Sequence, residues 1–109
     1  MALIVQKYGG TSVADPDRIK AVADNIAFTK KRGHDVIVVV SAMGKATDNL
    51  IALAESVSKT QPGREMDMLL TTGERQTAAL MTMALADRGI DAISFTGSQV
   101  GIITDTTHH

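Results

Sequence analysis

"DVIVVVSAMGKATDNL", residues 35 to 50, decides the fold. "DVIVVV" at 35 to 40 reads as a strand, and its β-branched, apolar run from Val36 to Val40, with no polar alternation, is the pattern of cover on both faces. Thr47 or Asp48 is expected to cap the helix that follows. That helix carries Leu50, Ile51, Leu53, Ala54 and Val57 before "KTQPG" at 59 to 63 breaks it.

The same alternation extends in both directions. Upstream, residues 2 to 6 read as a short buried strand. Asp15 then offers a cap and Pro16 a first helical position, with Ile19, Val22, Ala23 and Ile26 at helical spacing and Gly33 as terminator. Downstream, a helical stretch from about Arg64 to Asp87 is expected to be interrupted by "TTG" at 71 to 73. Gly89 precedes a weaker strand, "DAISF", at 91 to 95. Strands alternating with helices through right-handed crossovers imply an α/β architecture, a mainly parallel sheet with helices on both faces.

Bulk composition narrows the function. The 109 residues suit one domain, and 44% hydrophobic with 21% charged residues is a globular balance, far from that of a disordered chain. A net charge of -1 gives no field for a polyanion, and one Tyr and two Phe are too few for base stacking, so nucleic acid is not an expected partner. The absence of cysteine excludes disulfides, thiolate metal sites and cysteine nucleophiles. No apolar run approaches the ~20 residues of a membrane span, and "ALIV" at the start lacks a basic leader, so a cytoplasmic protein without membrane contact is expected.

Ligands of open parallel sheets bind beyond the carboxyl ends of the strands, where "KYGGTS" (7 to 12) and "SAMGKATD" (41 to 48) both fall. In the first, Gly9 and Gly10 let backbone N–H groups approach an anion and Lys7 adds a compact positive charge, which suits a polyphosphate. The same residues also make a plain turn with Lys7 in solvent. The second loop offers Ser41, Gly44, Lys45 and Thr47. Ala46 separates the lysine from Thr47, and Val39 stands where a P-loop needs glycine, so this is no Walker motif; an ordinary strand-to-helix connection with Thr47 or Asp48 only a cap is the plainer reading.

Glu74 follows "TTG", so a broken helix would present its carboxylate near a new helix N-terminus, where the dipole favours negative charge and an ammonium could be held. A solvated Glu74–Arg75 pair on an exposed turn is the plainer alternative. The methionines of "EMDMLL", Met81 and Met83 read as core packing rather than a soft metal site, and no metal ligand set is identified. His34 sits in a turn, His108 and His109 close the sequence at an end unsuited to a catalytic base, and Asp15, Asp17 and Asp24 cap or solvate the first helix.

Taken together, "KYGGTSV", "VVVSAMGKATDNL", "REMDMLLTTGER" and "SFTGSQVGIITD" closely resemble the N-terminal part of the aspartate kinase family, within the amino-acid kinase superfamily. Four blocks in the family's order are far more specific than one glycine pair. The resemblance implies the amino-acid kinase fold, a three-layer α/β/α sandwich with a mainly parallel sheet, of which residues 1 to 109 form an incomplete N-terminal portion. It implies transfer of the ATP γ-phosphoryl group to the side-chain carboxylate of L-aspartate, with Mg2+ expected alongside ATP. Lys7 would stabilise charge on the transferring phosphoryl group, Tyr8, Gly9 and Gly10 would cradle the phosphates through their backbone, and Ser41 would lie on the nucleotide side. Thr47 would meet the aspartate carboxylate and Glu74 its ammonium.

Family members are considerably longer. The resemblance therefore places the adenine pocket, further substrate contacts and ligand-sensing ACT domains outside this chain, and implies weak or absent activity in isolation with an open sheet edge and apolar helix faces. Homo-oligomerisation or assembly with further kinase or regulatory segments is expected. Two other readings stay open: a relative acting on glutamate, acetylglutamate or carbamate, and a noncatalytic α/β module that keeps only binding or assembly.

Overall fold

The computed structural model describes residues 2–94 and 100–103. Strand β1 (Leu3–Tyr8) leads through helix α1 (Pro16–Lys31) to β2 (Asp35–Val40). Helices α2 (Ala46–Val57) and α3 (Gly63–Asp87) follow, and then β3 (Ala92–Ser94) and β4 (Val100–Ile103). The sheet order is β1-β2-β4-β3. β1 and β2 are parallel and β4 is antiparallel to both β2 and β3, so β1, β2 and β3 share one direction. The expected α/β class with a mainly parallel sheet is what these residues form. Phe95 and the closing histidines, His108 and His109, lie outside the described residues.

The β2 run has the expected bounds, but among the described residues helices cover only one of its faces. Val36, Val38 and Val40 are buried with Ile19, Val22, Ala23 and Ile26 of α1 and Ala78, Met81 and Leu85 of α3. Each of the larger buried side chains, the Val, Ile, Leu and Met, contributes roughly 1.5–3 kcal/mol relative to exposure. The alternate positions point the other way: Leu3 and Val5 remain 65% and 63% exposed, while Ile37 and Val39 beside them are partly covered. Among the described residues no helix packs on that second face.

α1 starts as its sequence dictates. Asp15 has extended backbone, its carboxylate accepts the Arg18 N–H at 2.9 Å, and Pro16 stands in the first turn. Gly33, at φ 93°, turns the chain out of the helix. Asp24 does more than solvate this helix, since its carboxylate pairs with Arg88 at the end of α3.

Three expectations are corrected. β1 runs past residue 6 to include Lys7 and Tyr8, because Val39 and Val40 of β2 are there to pair with them. α2 begins at Ala46, so Thr47 and Asp48 lie within its first turn; Lys45 occupies the cap position and no side chain caps it. "TTG" does not interrupt α3. Thr71 and Thr72 turn their hydroxyls back onto the carbonyls of Asp67 and Leu69, both at 2.6 Å, and Gly73 is buried against neighbours, so packing outweighs the ~1 kcal/mol that glycine costs a helix. The methionines divide: Met81 is core, whereas Met68 and Met83 are more than half exposed. No helix among the described residues is long and apolar enough to cross a membrane.

Candidate functional site

The parallel pairing of β1 and β2 puts the residues that follow each strand at one end of the sheet, and backbone bonds join them there. The Ser41 N–H donates to the Tyr8 carbonyl at 3.1 Å, and the Gly44 N–H donates to the Gly10 carbonyl at 3.0 Å. The first loop tightens on itself through Ser12 N–H to the Gly9 carbonyl, 3.0 Å. Gly10 is glycine because nothing larger fits: a Cβ there would lie 2.9 Å from the Ala42 carbonyl oxygen. Gly44 is required for another reason, its left-handed φ of 49°.

The strand alternation divides Lys7 from Tyr8. Lys7 is exposed and issues from the open face of the sheet with Leu3 and Val5. Tyr8 turns toward α1, where its hydroxyl donates to Gln6 Oε1 and accepts from Asn25 Nδ2, both at 2.9 Å. Gln6 in turn donates to Thr29 Oγ1 at 3.2 Å. The phenol therefore braces the strand against the helix, and only the backbone of Tyr8 belongs to the loop. Arg18 adds a second brace by donating from Nη1 to the Thr11 carbonyl at 3.0 Å.

Glu74 sits in the interior of α3, partly buried, and not at a new helix N-terminus. The residue before it, Gly73, faces Ala42 and Leu50 where a side chain would stand. Thr47 is exposed in the first turn of α2, where helix amides lack intrahelical partners. Between α2 and α3 lies a cleft of about 370 Å³ lined by Ala46, Asn49, Leu50, Thr72, Gly73 and Gln76. Thr47 and Glu74 are chain neighbours of residues that line it.

Among the residues singled out from sequence, Tyr8 and Ser41 are joined by a backbone bond and Gly10 is joined to Gly44 of the second loop, with Lys7 and Gly9 beside them in the chain; Thr47 and Glu74 lie on α2 and α3. Sequence reasoning missed Asn49, Gln76 and Arg18. The first two fall on helical stripes, 46/49/50 and 72/73/76, which become legible once α3 is read without a break. Among the described residues no three His, Asp or Glu side chains gather as a metal site.

Residues 2–109 match the Amino acid kinase family. Aspartokinase of Mycolicibacterium smegmatis is 62% identical over 108 residues, covering 99% of this chain and 26% of that protein. Aspartokinase 2 of Bacillus subtilis (strain 168) is 53% identical with the same coverage. The crystal structure of aspartate kinase from Synechocystis superposes with a TM-score of 0.83 at 53% identity, over 85% of this chain and 16% of that one. This chain spans about a quarter of the length of the curated relatives it matches.

Proposed function

Because this chain belongs to the amino acid kinase family, we propose that it is the N-terminal part of the catalytic domain of an aspartate kinase. The reaction is ATP-dependent phosphorylation of the L-aspartate side-chain carboxylate to 4-phospho-L-aspartate, the first step toward lysine, methionine and threonine, carried out in the cytoplasm. The observation that carries this reading is the junction of the two strand-end loops, Gly44 N–H to Gly10 carbonyl, at the end of the sheet where ligands of parallel strands bind.

In this reading a carboxylate oxygen of aspartate attacks the γ-phosphorus in line, the new O–P bond forms as the β–γ bridge bond breaks, and ADP leaves with that electron pair. No protein nucleophile or base is required, so catalysis consists of positioning and charge neutralisation. Lys7 serves as the cation for the phosphoryl oxygens, the backbone at Tyr8, Gly9 and Gly10 with Ser41 holds the nucleotide, and Thr47 and Glu74 hold the carboxylate and ammonium of aspartate. The described residues supply no carboxylate cage that fits Mg2+. Self-association through the face bearing Leu3 and Val5 belongs to the same proposal and is read by sedimentation.

The test is an ATP-dependent assay in which hydroxylamine traps acyl phosphate, with aspartate, glutamate, acetylglutamate and carbamate compared as acceptors, together with calorimetric titration of the chain with ATP and aspartate. Trapping or binding selective for aspartate supports the proposal. Selectivity for another acceptor moves the chain elsewhere in the family, and absence of both turnover and ligand binding leaves a noncatalytic module.

A further inference from the structure

Gly73 stands inside a 25-residue helix, where glycine costs about 1 kcal/mol relative to alanine. Its φ is not in the left-handed region, which among the described glycines is confined to Gly33, Gly44 and Gly89. Conformational freedom therefore does not explain it. Space does: a Cβ at Gly73 would lie 3.1 Å from the Ala42 Cβ and 3.3 Å from Leu50 Cδ1, inside the ~3.5–4.0 Å optimum for carbon pairs.

Leu50 can rotate away, but Ala42 is held. The residue before it donates from Ser41 N–H to the Tyr8 carbonyl, and Gly44 donates to the Gly10 carbonyl. The Ala42 carbonyl also occupies the space that a Cβ on Gly10 would need, 2.9 Å away. Ala42 is thus touched by two glycines, Gly10 at its carbonyl and Gly73 at its methyl, and one of these belongs to the nucleotide loop while the other precedes Glu74.

We propose that Gly73 is a positioning residue: by letting α3 close onto Ala42 it sets the placement of Glu74 relative to the 41–44 loop and, through that loop, to Gly10. This deepens the functional reading above and rests on its assignment of Glu74 to the substrate ammonium. Added bulk at Gly73 must either move α3 outward with Glu74 or push the second loop against the first. Both ends of the site are then disturbed together, which separates this role from that of Glu74, whose loss disturbs the aspartate end alone.

The experiment compares Gly73→Ala, Ala42→Gly and the double variant in the whole chain, with Gly63→Ala as a helical control that has no neighbour within 4 Å of the added carbon. Amide hydrogen exchange at residues 9–12 and 41–46 is read beside the affinities for ATP and aspartate. Gly73→Ala is expected to speed exchange in both loops and to weaken both ligands about tenfold, in scale with the roughly hundredfold cost of a 1 Å misplacement. Adding Ala42→Gly is expected to recover most of that loss, and Gly63→Ala to leave both loops unchanged. Unchanged loops in Gly73→Ala, or a loss that Ala42→Gly does not recover, overturn the proposal. A Gly73→Ala chain that unfolds supports it if Ala42→Gly refolds it and refutes it otherwise. If the unsubstituted chain binds neither ligand, the functional reading fails, while exchange and rescue still decide the packing role.

Discussion

Arg88 donates its Nε–H to Asp24 Oδ1 at 2.6 Å, joining residues 64 positions apart. The same guanidinium donates to the Ala84 carbonyl at 2.8 Å and the Lys20 carbonyl at 3.2 Å, so one side chain clasps α1 to the end of α3. Its charge partner is 71% exposed, which limits the ion pair to at most ~1 kcal/mol. Carbonyl contacts at ~0.5–1.5 kcal/mol each make up the rest. Arg88→Ala should therefore lower stability in urea by about 2 kcal/mol and Asp24→Asn by less than half of that. Equal losses would place the clasp in the charge pair instead.

A matched pair of substitutions reads the one-sided cover of the sheet. Val38 is 2% exposed and Val5 is 63% exposed. Val38→Thr buries a hydroxyl among aliphatic groups and should cost roughly 1–3 kcal/mol, whereas Val5→Thr should stay within about 0.5 kcal/mol. Denaturation midpoints decide, and a large loss at Val5 would mean that its face is covered.

Gly44 tests torsion apart from space. A Cβ there would meet Ala14 at an ordinary 3.5 Å, so the obstacle is the φ of 49°. Gly44→Ala should cost about 1–2 kcal/mol, with Gly44→Asn recovering part of it because asparagine tolerates this region. Stability equal to the parent in Gly44→Ala would show that the second loop adopts another conformation.

The proposed roles divide by ligand. Lys7→Ala should cost ~3 kcal/mol of transition-state stabilisation, a few hundredfold in turnover, in line with loss of an oxyanion-type donor. Glu74→Gln should raise the aspartate requirement far more than the ATP requirement. Steady-state kinetics with each substrate varied in turn would refute the assignment of Glu74 if both requirements rose alike.

What could be read from sequence was what local chemistry decides. The β-branched run at 35–40 and the Asp15–Pro16 start of α1 match their elements because propensity, capping and packing agree there. Two of the misplaced features were set by partners distant in sequence. β1 extends through Lys7 because β2 offers it a ladder, and β4, with Gly101 in its middle, takes its place by pairing with strands on both sides. "TTG" looked like a break because neither the hydroxyl back-bonds nor the Ala42 contact of Gly73 can be seen in composition. The two loops were legible as a pair, since parallel strands leave their ends together. The inward turn of the Tyr8 phenol was not, because it follows from a strand end two residues later than expected.

Among the described residues β1 has a single hydrogen-bonded neighbour, and its last pairs carry Lys7 and Tyr8. Fraying of a border strand begins at such pairs and needs far less energy than melting the α1–α3 core. The cation proposed for phosphate is therefore mounted at the margin of the sheet, next to the Tyr8 phenol and the Ser41 N–H bond that hold the strand end in place. Brief opening of that margin would disturb the proposed phosphate site while the bulk of the molecule kept its shape, so on heating any nucleotide binding should be lost before the helical signal.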